Sequence, residues 1–204
     1  MHFSIVTAGF SVQYIDVAWD SIKKQTHKEW EWILVCDNSE SIRNWYKVKK
    51  DSGEFEGSDV WFIDIGKTRN RYGLVSRNVG AQCASYNRII FLDDDNAFEE
   101  PDYLETIAKT IEETGLIPYT QLHLLGKKIG STYDRYKRTG LGRHHIDLGN
   151  FLYFKQHLIK YGYFDDSKNR IMFDWDLMEK IINGEGVDKF ILIKKHLVFR
   201  HKRY

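Results

Sequence analysis

Two cysteines and a formal net charge of only +1 in 204 residues define what this chain has little of. Two thiols are too few for a disulfide framework, and Cys36 lies inside an apolar run, so buried free thiols in a reducing compartment are expected. The near-neutral balance gives bulk electrostatics no pull toward nucleic acid or a membrane surface. No apolar run approaches the ~20 residues that cross a bilayer. The start, Met1-His2-Phe3-Ser4, enters a strand directly and lacks the layout of a signal peptide. The expectation is a cytoplasmic protein (host cytoplasm if viral) without a membrane span. Repeats, low-complexity tracts and linker-like stretches are also absent, so residues 1–204 are read as one domain.

What is present is the composition of a globular enzyme, 42% apolar and 29% charged. Short β-favouring runs alternate with helical periodicity through the first half. Strands are predicted at 3–7, 32–36, 60–63 and 89–92, with helices at 11–25, 42–48 and 76–84 between them. Strands separated by helices of this length give βαβ units and a mostly parallel, Rossmann-like sheet. The second half is less regular. Pro101 opens a helix carrying Leu104, Ile107, Ala108 and Ile111, which Gly115 ends. Strands follow at 116–125, 151–154 and 190–193, with a helix at 174–182. The stretch 126–145, rich in Gly, Lys, Arg and Tyr, is a long loop of the kind that carries function. The basic end (Lys194, Lys195, Arg200, Lys202, Arg203) is a solvated face or a phosphate-binding lip.

The chemistry concentrates at Asp93-Asp94-Asp95, directly after Ile89-Ile90-Phe91-Leu92. In open α/β sheets ligands bind outside the carboxyl ends of the strands. Two carboxylates ~4 Å apart repel by about 4 kcal/mol at an effective dielectric of roughly 20, and a divalent cation reverses that sign. The alternative is an acidic turn opening the next helix. A P-loop is excluded, because the glycine required five residues before Gly66 is Trp61. A haloacid-dehalogenase-type phosphatase, with Asp93 as nucleophile and Asp95 as acid, would need Thr or Val where Ala97 stands.

Several separated pieces form a better match. A first strand ends at Thr7-Ala8 and a second in Asp37-Asn38-Ser39. Ser76-Arg77-Asn78-Val79-Gly80 opens a helix running into the aspartates. Gly149-Asn150 with 151–154 and 161–165 follow, then Phe173-Asp174-Trp175-Asp176-Leu177. In order and spacing the chain resembles a family-2 glycosyltransferase with the A-type fold. The resemblance implies a nucleotide-sugar-binding half at 1–95 and an acceptor-binding half at 96–204. Its cofactor would be Mn²⁺ or Mg²⁺, oxygen-ligated, absorbing charge on a nucleoside diphosphate leaving group.

The same resemblance distributes the roles. Asp95 is the metal ligand, with Asp93 and the late His201 as further ligands. Asp93 or Asp94 reaches the ribose or the metal's water shell. Thr7, Ala8, Asp37 and Arg77 belong to the donor site; Asp37 would bond the base, or else cap a helix. Asp174 is the general base and Asp176 its alternate. Gly149, Asn150 and Trp175 lie on the acceptor side, Trp175 stacking on a sugar or packing inward. Phe173 replaces the usual Glu before the base, and the first strand lacks the usual Pro. Without a Gln-x-x-Arg-Trp segment a processive synthase is disfavoured. The expected reaction is a single, inverting transfer from a UDP-sugar to a glycan or glycoconjugate hydroxyl. A catalytically decayed binding module is the non-enzymatic alternative.

Overall fold

Strands β1 (Phe3–Gly9) and β2 (Trp30–Cys36) are buried along their whole length. That is the condition of a strand covered by helices on both faces. With β3 (Val60–Asp64), β4 (Arg88–Phe91) and β8 (Tyr153–Phe154) they form a five-stranded sheet in the order β3-β2-β1-β4-β8. The first four are parallel and β8 runs antiparallel to β4. The structure is a computed structural model, and it describes residues 1–67, 73–124, 127–128, 148–165 and 173–199.

The period-2 alternation of these strands sorts the core into two layers. Phe3, Ile5, Trp32, Leu34, Ile90 and Leu92 face α1 (Ile15–Lys23), α2 (Glu40–Asp51) and α4 (Tyr103–Thr114). There Trp19 stacks on Trp32 with ring centroids 5.1 Å apart. Val6, Ile33, Val35, Ile89 and Phe91 face the opposite layer, with α3 (Leu74–Cys83), α5 (Lys155–Tyr161) and α6 (Phe173–Glu185). α3 lies so close to β1 that a Cβ on Gly80 would stand 2.4 Å from Val6 Cγ1. Only glycine permits that helix–strand approach.

At the amino end of the strands a buried carboxylate does the fastening. Glu31 accepts hydrogen bonds from Ser4 Oγ (2.5 Å), Ser85 N (2.6 Å) and Ser85 Oγ (2.9 Å). Two strands and the α3–β4 turn are thereby held by one fully bonded group, the state a buried charge requires.

A second, four-stranded sheet has the order β5-β9-β6-β7, from β5 (Asn96–Phe98), β9 (Phe190–Phe199), β6 (Ile117–Leu124) and β7 (Lys127–Lys128). β9 is parallel to β6 and antiparallel to β5. The order of elements agrees with the sequence expectation, but three pieces differ. β5, at three residues, is too short to show periodicity and owes its form to β9. The predicted strand at 151–154 follows a 3₁₀ turn (Leu148–Asn150) and reduces to an isolated bridge at Phe151 and the two-residue β8, and α5 begins at once. α1 starts at Ile15 rather than near Ser11, because the amides of Phe10 and Ser11 are bound elsewhere, as shown next. The predicted loop 126–145, with His144 and His145, lies outside the described residues apart from the two residues of β7. Among the described residues no helix is long and apolar enough to cross a membrane.

Candidate active site

The carboxyl ends of β1, β2 and β4 lie side by side, and the residues after them meet. Leu92 continues the pairing of β4, its amide donating to the Val6 carbonyl at 3.0 Å. The chain then turns, the Asn96 amide donating to the Asp93 carbonyl at 3.0 Å. This tight turn holds all three aspartates half-buried at the sheet's edge.

Two of the three carboxylates are engaged by identified protein partners. Asp93 is ion-paired with Arg77, which is 6% exposed and stands in the first turn of α3. Arg77 Nη2 and Nε both donate to Asp93 Oδ1, Nε at 3.2 Å. Asp94 turns the other way, its Oδ2 accepting from the backbone amides of Phe10 and Ser11, each at 2.7 Å. Burial pushes the Asp94 carboxyl up to about 6, opposed by those two amides and reinforced by the charges of Asp93 and Asp95.

The β1–α1 turn is also held from β2, since Ser39 Oγ donates to the Phe10 carbonyl at 3.1 Å. The Phe10 ring, 42% exposed, packs toward Gly73. Gly73 has φ +73°, and a Cβ there would lie 2.7 Å from Arg77 Nη1 and 2.9 Å from Phe10 Cε2. The start of α3, the turn after β1 and the aspartates thus form one packed unit.

The other expected donor residues lie close by in the fold. Thr7 and Ala8 are buried near the carboxyl end of β1, and Thr7 Oγ1 accepts from Trp32 Nε1 at 2.9 Å. The Thr7 hydroxyl is thereby engaged within the core. Asp37 follows β2 and is half-exposed. The cap of α2 is Ser39, whose Oγ accepts from the Ile42 amide at 3.4 Å. That disposes of the capping alternative for Asp37.

Of the residues expected on the acceptor side, Gly149 and Asn150 are buried in the 3₁₀ turn, and Asn150 Nδ2 donates to the Thr120 carbonyl at 2.7 Å. Trp175 is 7% exposed and packs with Leu177, Met178 and Phe164 in the core. Of its two expected roles, the structure gives it the inward one. Asp174 and Asp176 fall in the first turn of α6, with Asp176 half-buried.

Sequence reasoning missed Ser39 and Phe10 as parts of this unit. A serine three residues before Ile42, at a helix start, was the available signal. His201 lies outside the described residues. It follows by two positions Phe199, which pairs with Asn96, the residue after Asp95.

Among the described residues no three His, Cys, Asp or Glu side chains are arranged to hold a metal ion. The donor set still fits a hard cation. The three aspartates offer carboxylate oxygen, and a divalent charge would offset the repulsion from Asp93 and Asp95 that adds to burial in raising Asp94.

Comparison with known proteins places this arrangement. A search of curated proteins finds no match. Among solved structures, *S. aureus* TarS 1-349 in complex with UDP-GlcNAc superposes with a TM-score of 0.74 at 16% identity, over 100% of this chain and 60% of that one. GalNAc-T7 with UDP, GalNAc and Mn²⁺ gives 0.71 at 15% identity, over 97% and 43%. The mannosyltransferase PcManGT from *Pyrobaculum calidifontis*, in complex with GDP-Man and Mn²⁺, gives 0.69 at 15%, over 99% and 57%. The chain thus spans less than two thirds of each of these proteins, and at such identity the likeness speaks for a shared A-type fold. The model of one family, glycosyl transferase family 2, matches residues 5–164. With that match over most of its length, the chain belongs to glycosyl transferase family 2.

Proposed function

We propose that this protein transfers a sugar from a nucleotide sugar, a UDP-sugar in the first instance, to a hydroxyl of a glycan or glycoconjugate. The observation that carries the reading is the packed unit of Arg77, the three aspartates and the β1–α1 turn at the carboxyl ends of parallel strands. Family membership supplies the reaction class, and it leaves the phosphatase alternative without support.

In this reading residues 1–95 bind the donor and 96–204 the acceptor. Asp37 bonds the base, the backbone at Thr7 and Ala8 lines its pocket, and Arg77 faces the diphosphate while anchored by Asp93. Asp95 would hold a Mn²⁺ or Mg²⁺ ion, with Asp93 and His201 as its further ligands. When bound, the cation stabilises negative charge on the departing diphosphate. Asp174 removes the proton of the attacking hydroxyl, Asp176 being the alternate base, and a single base acting opposite the leaving group inverts the anomeric centre. Gly149 and Asn150 shape the acceptor wall.

A thermal-shift panel of UDP-, GDP- and dTDP-sugars with and without Mn²⁺ tests it. A ligand at 100 times its Kd stabilises by about 2.7 kcal/mol. At roughly 2–4 °C per kcal/mol in a domain of this size, that raises Tm by about 5–11 °C. The expected result is a metal-dependent rise with UDP-sugars, lost in Asp95→Asn. No shift with any nucleotide sugar, or a metal-dependent shift that survives Asp95→Asn, would overturn the reading.

A further inference from the structure

We propose that Asp94 is a positioning residue of the donor site: it fixes the turn after β1 and sets that wall of the groove, rather than binding the cation. The inference rests on the donor-site reading above.

One oxygen of Asp94 receives two consecutive backbone amides, Phe10 and Ser11, each at 2.7 Å. Hydrogen bonds from N–H to a carboxylate are the short and strong class, and two on one oxygen fix the orientation of both peptide planes. The same turn is held at the Phe10 carbonyl by Ser39. Phe10 is therefore bonded on its amide side to the segment after β4 and on its carbonyl side to the segment after β2. Its ring meets Gly73 beside Arg77, and Arg77 is held in turn by Asp93.

Adjacent carboxylates thus grip opposite walls, Asp93 the start of α3 and Asp94 the turn after β1. A single peptide unit, from 93 to 94, sets the separation of the two walls. The residues between β1 and α1 are kept out of the helix by the same contact. An anchor of this kind needs an acceptor oxygen but not a negative charge. A charge partner needs both, and a carboxylate ligand of a divalent cation is weakened when its charge is removed.

That difference is the test. Asp94→Asn places an amide oxygen where both N–H groups can still find it; Asp94→Ala removes the acceptor. Ser39→Ala loosens the turn from the β2 side and leaves every carboxylate in place. In the full chain, hydrogen exchange at the Phe10 and Ser11 amides rises by about tenfold or more in Asp94→Ala, stays near the wild-type rate in Asp94→Asn, and is unmoved in Asp95→Asn. Calorimetric titration with UDP and Mn²⁺ shows Asp94→Ala weakened by roughly tenfold to a hundredfold. Asp94→Asn recovers most of that loss, Ser39→Ala loses less, and the Mn²⁺ concentration for half-saturation stays at the wild-type value in all three.

An Asp94→Asn variant as weak as Asp94→Ala overturns the inference, as does a shift in the Mn²⁺ requirement like that of Asp95→Asn. Amide exchange at Phe10 and Ser11 unchanged in Asp94→Ala overturns it as well. Should the wild-type protein bind no nucleotide, the donor-site reading fails instead. The exchange experiment then still decides whether Asp94 holds the turn.

Discussion

The side chain of Asn78 and the backbone of Phe164 bond to each other twice. Nδ2 donates to the Phe164 carbonyl at 2.8 Å, and Oδ1 accepts from its amide at 3.0 Å. An amide side chain imitates a strand here, and it fastens α3, the helix that presents Arg77, to a segment 86 residues later. Asn78→Ala removes both bonds to the Phe164 backbone and is expected to cost about 1–3 kcal/mol in urea denaturation. Asn78→Asp is expected to cost more, because its second oxygen faces a carbonyl.

The approach of α3 to β1 gives a second expectation. Gly80→Ala inserts a methyl 2.4 Å from Val6 Cγ1, and overpacking of a filled core costs about 1–3 kcal/mol. Val6→Ala alone opens a cavity. Together the two are expected to be less harmful than the sum of the single changes, a coupling that a double-mutant cycle measures. Strict additivity would mean that the helix moves away freely.

Acid sensitivity should trace in part to His157, which is 6% exposed and held below its ordinary 6.5 chiefly by burial. Its Nδ1 has no hydrogen-bond partner among the described residues. The unfolded chain protonates this ring near 6.5 while the folded one resists, so the unfolded state binds more protons as pH falls. The contribution is complete above that value and declines below it, toward the lower folded value. Glu185, held below 4.5 by the Tyr161 hydroxyl and then by Lys160, contributes above that range and loses its share only in stronger acid. Melting temperatures between pH 7.5 and 5.5 should therefore fall less steeply in His157→Leu than in wild type, whatever its absolute stability.

Catalysis and binding should separate at the start of α6. Asp174→Asn is expected to lower kcat by about 10²–10⁴-fold, the usual worth of a general base, with UDP affinity unchanged. Asp176→Asn is expected to do far less. Initial rates with a UDP-sugar and a productive acceptor, paired with UDP titration, give both numbers; the reverse ranking assigns the base to Asp176.

Most of the first half was legible because its strands carry unbroken apolar runs and its helices a clear stripe, as at Ile15, Trp19 and Ile22. The aspartates announced the site through their own repulsion. Their division was not legible, because the groups that distinguish them, the guanidinium of Arg77 and the amides of Phe10 and Ser11, lie 16 and more than 80 residues away. Nor could local pattern reveal β5. Asn96, Ala97 and Phe98 form a strand only because β9 lies beside them. Trp175 was ambiguous in sequence, since an indole suits a sugar face and a core equally well, and the surrounding Leu177, Met178 and Phe164 decide it.

The pairing of β5 with β9 carries a kinetic consequence. Asn96 meets Phe199 across more than a hundred residues, a contact of high sequence separation whose loop must close before it is rewarded. The shoulder of the site next to Asp95 therefore cannot form in a chain that has assembled only its first βαβ units. During refolding, recovery of metal-dependent nucleotide binding should lag behind recovery of far-ultraviolet dichroism. The lag would time the arrival of β9.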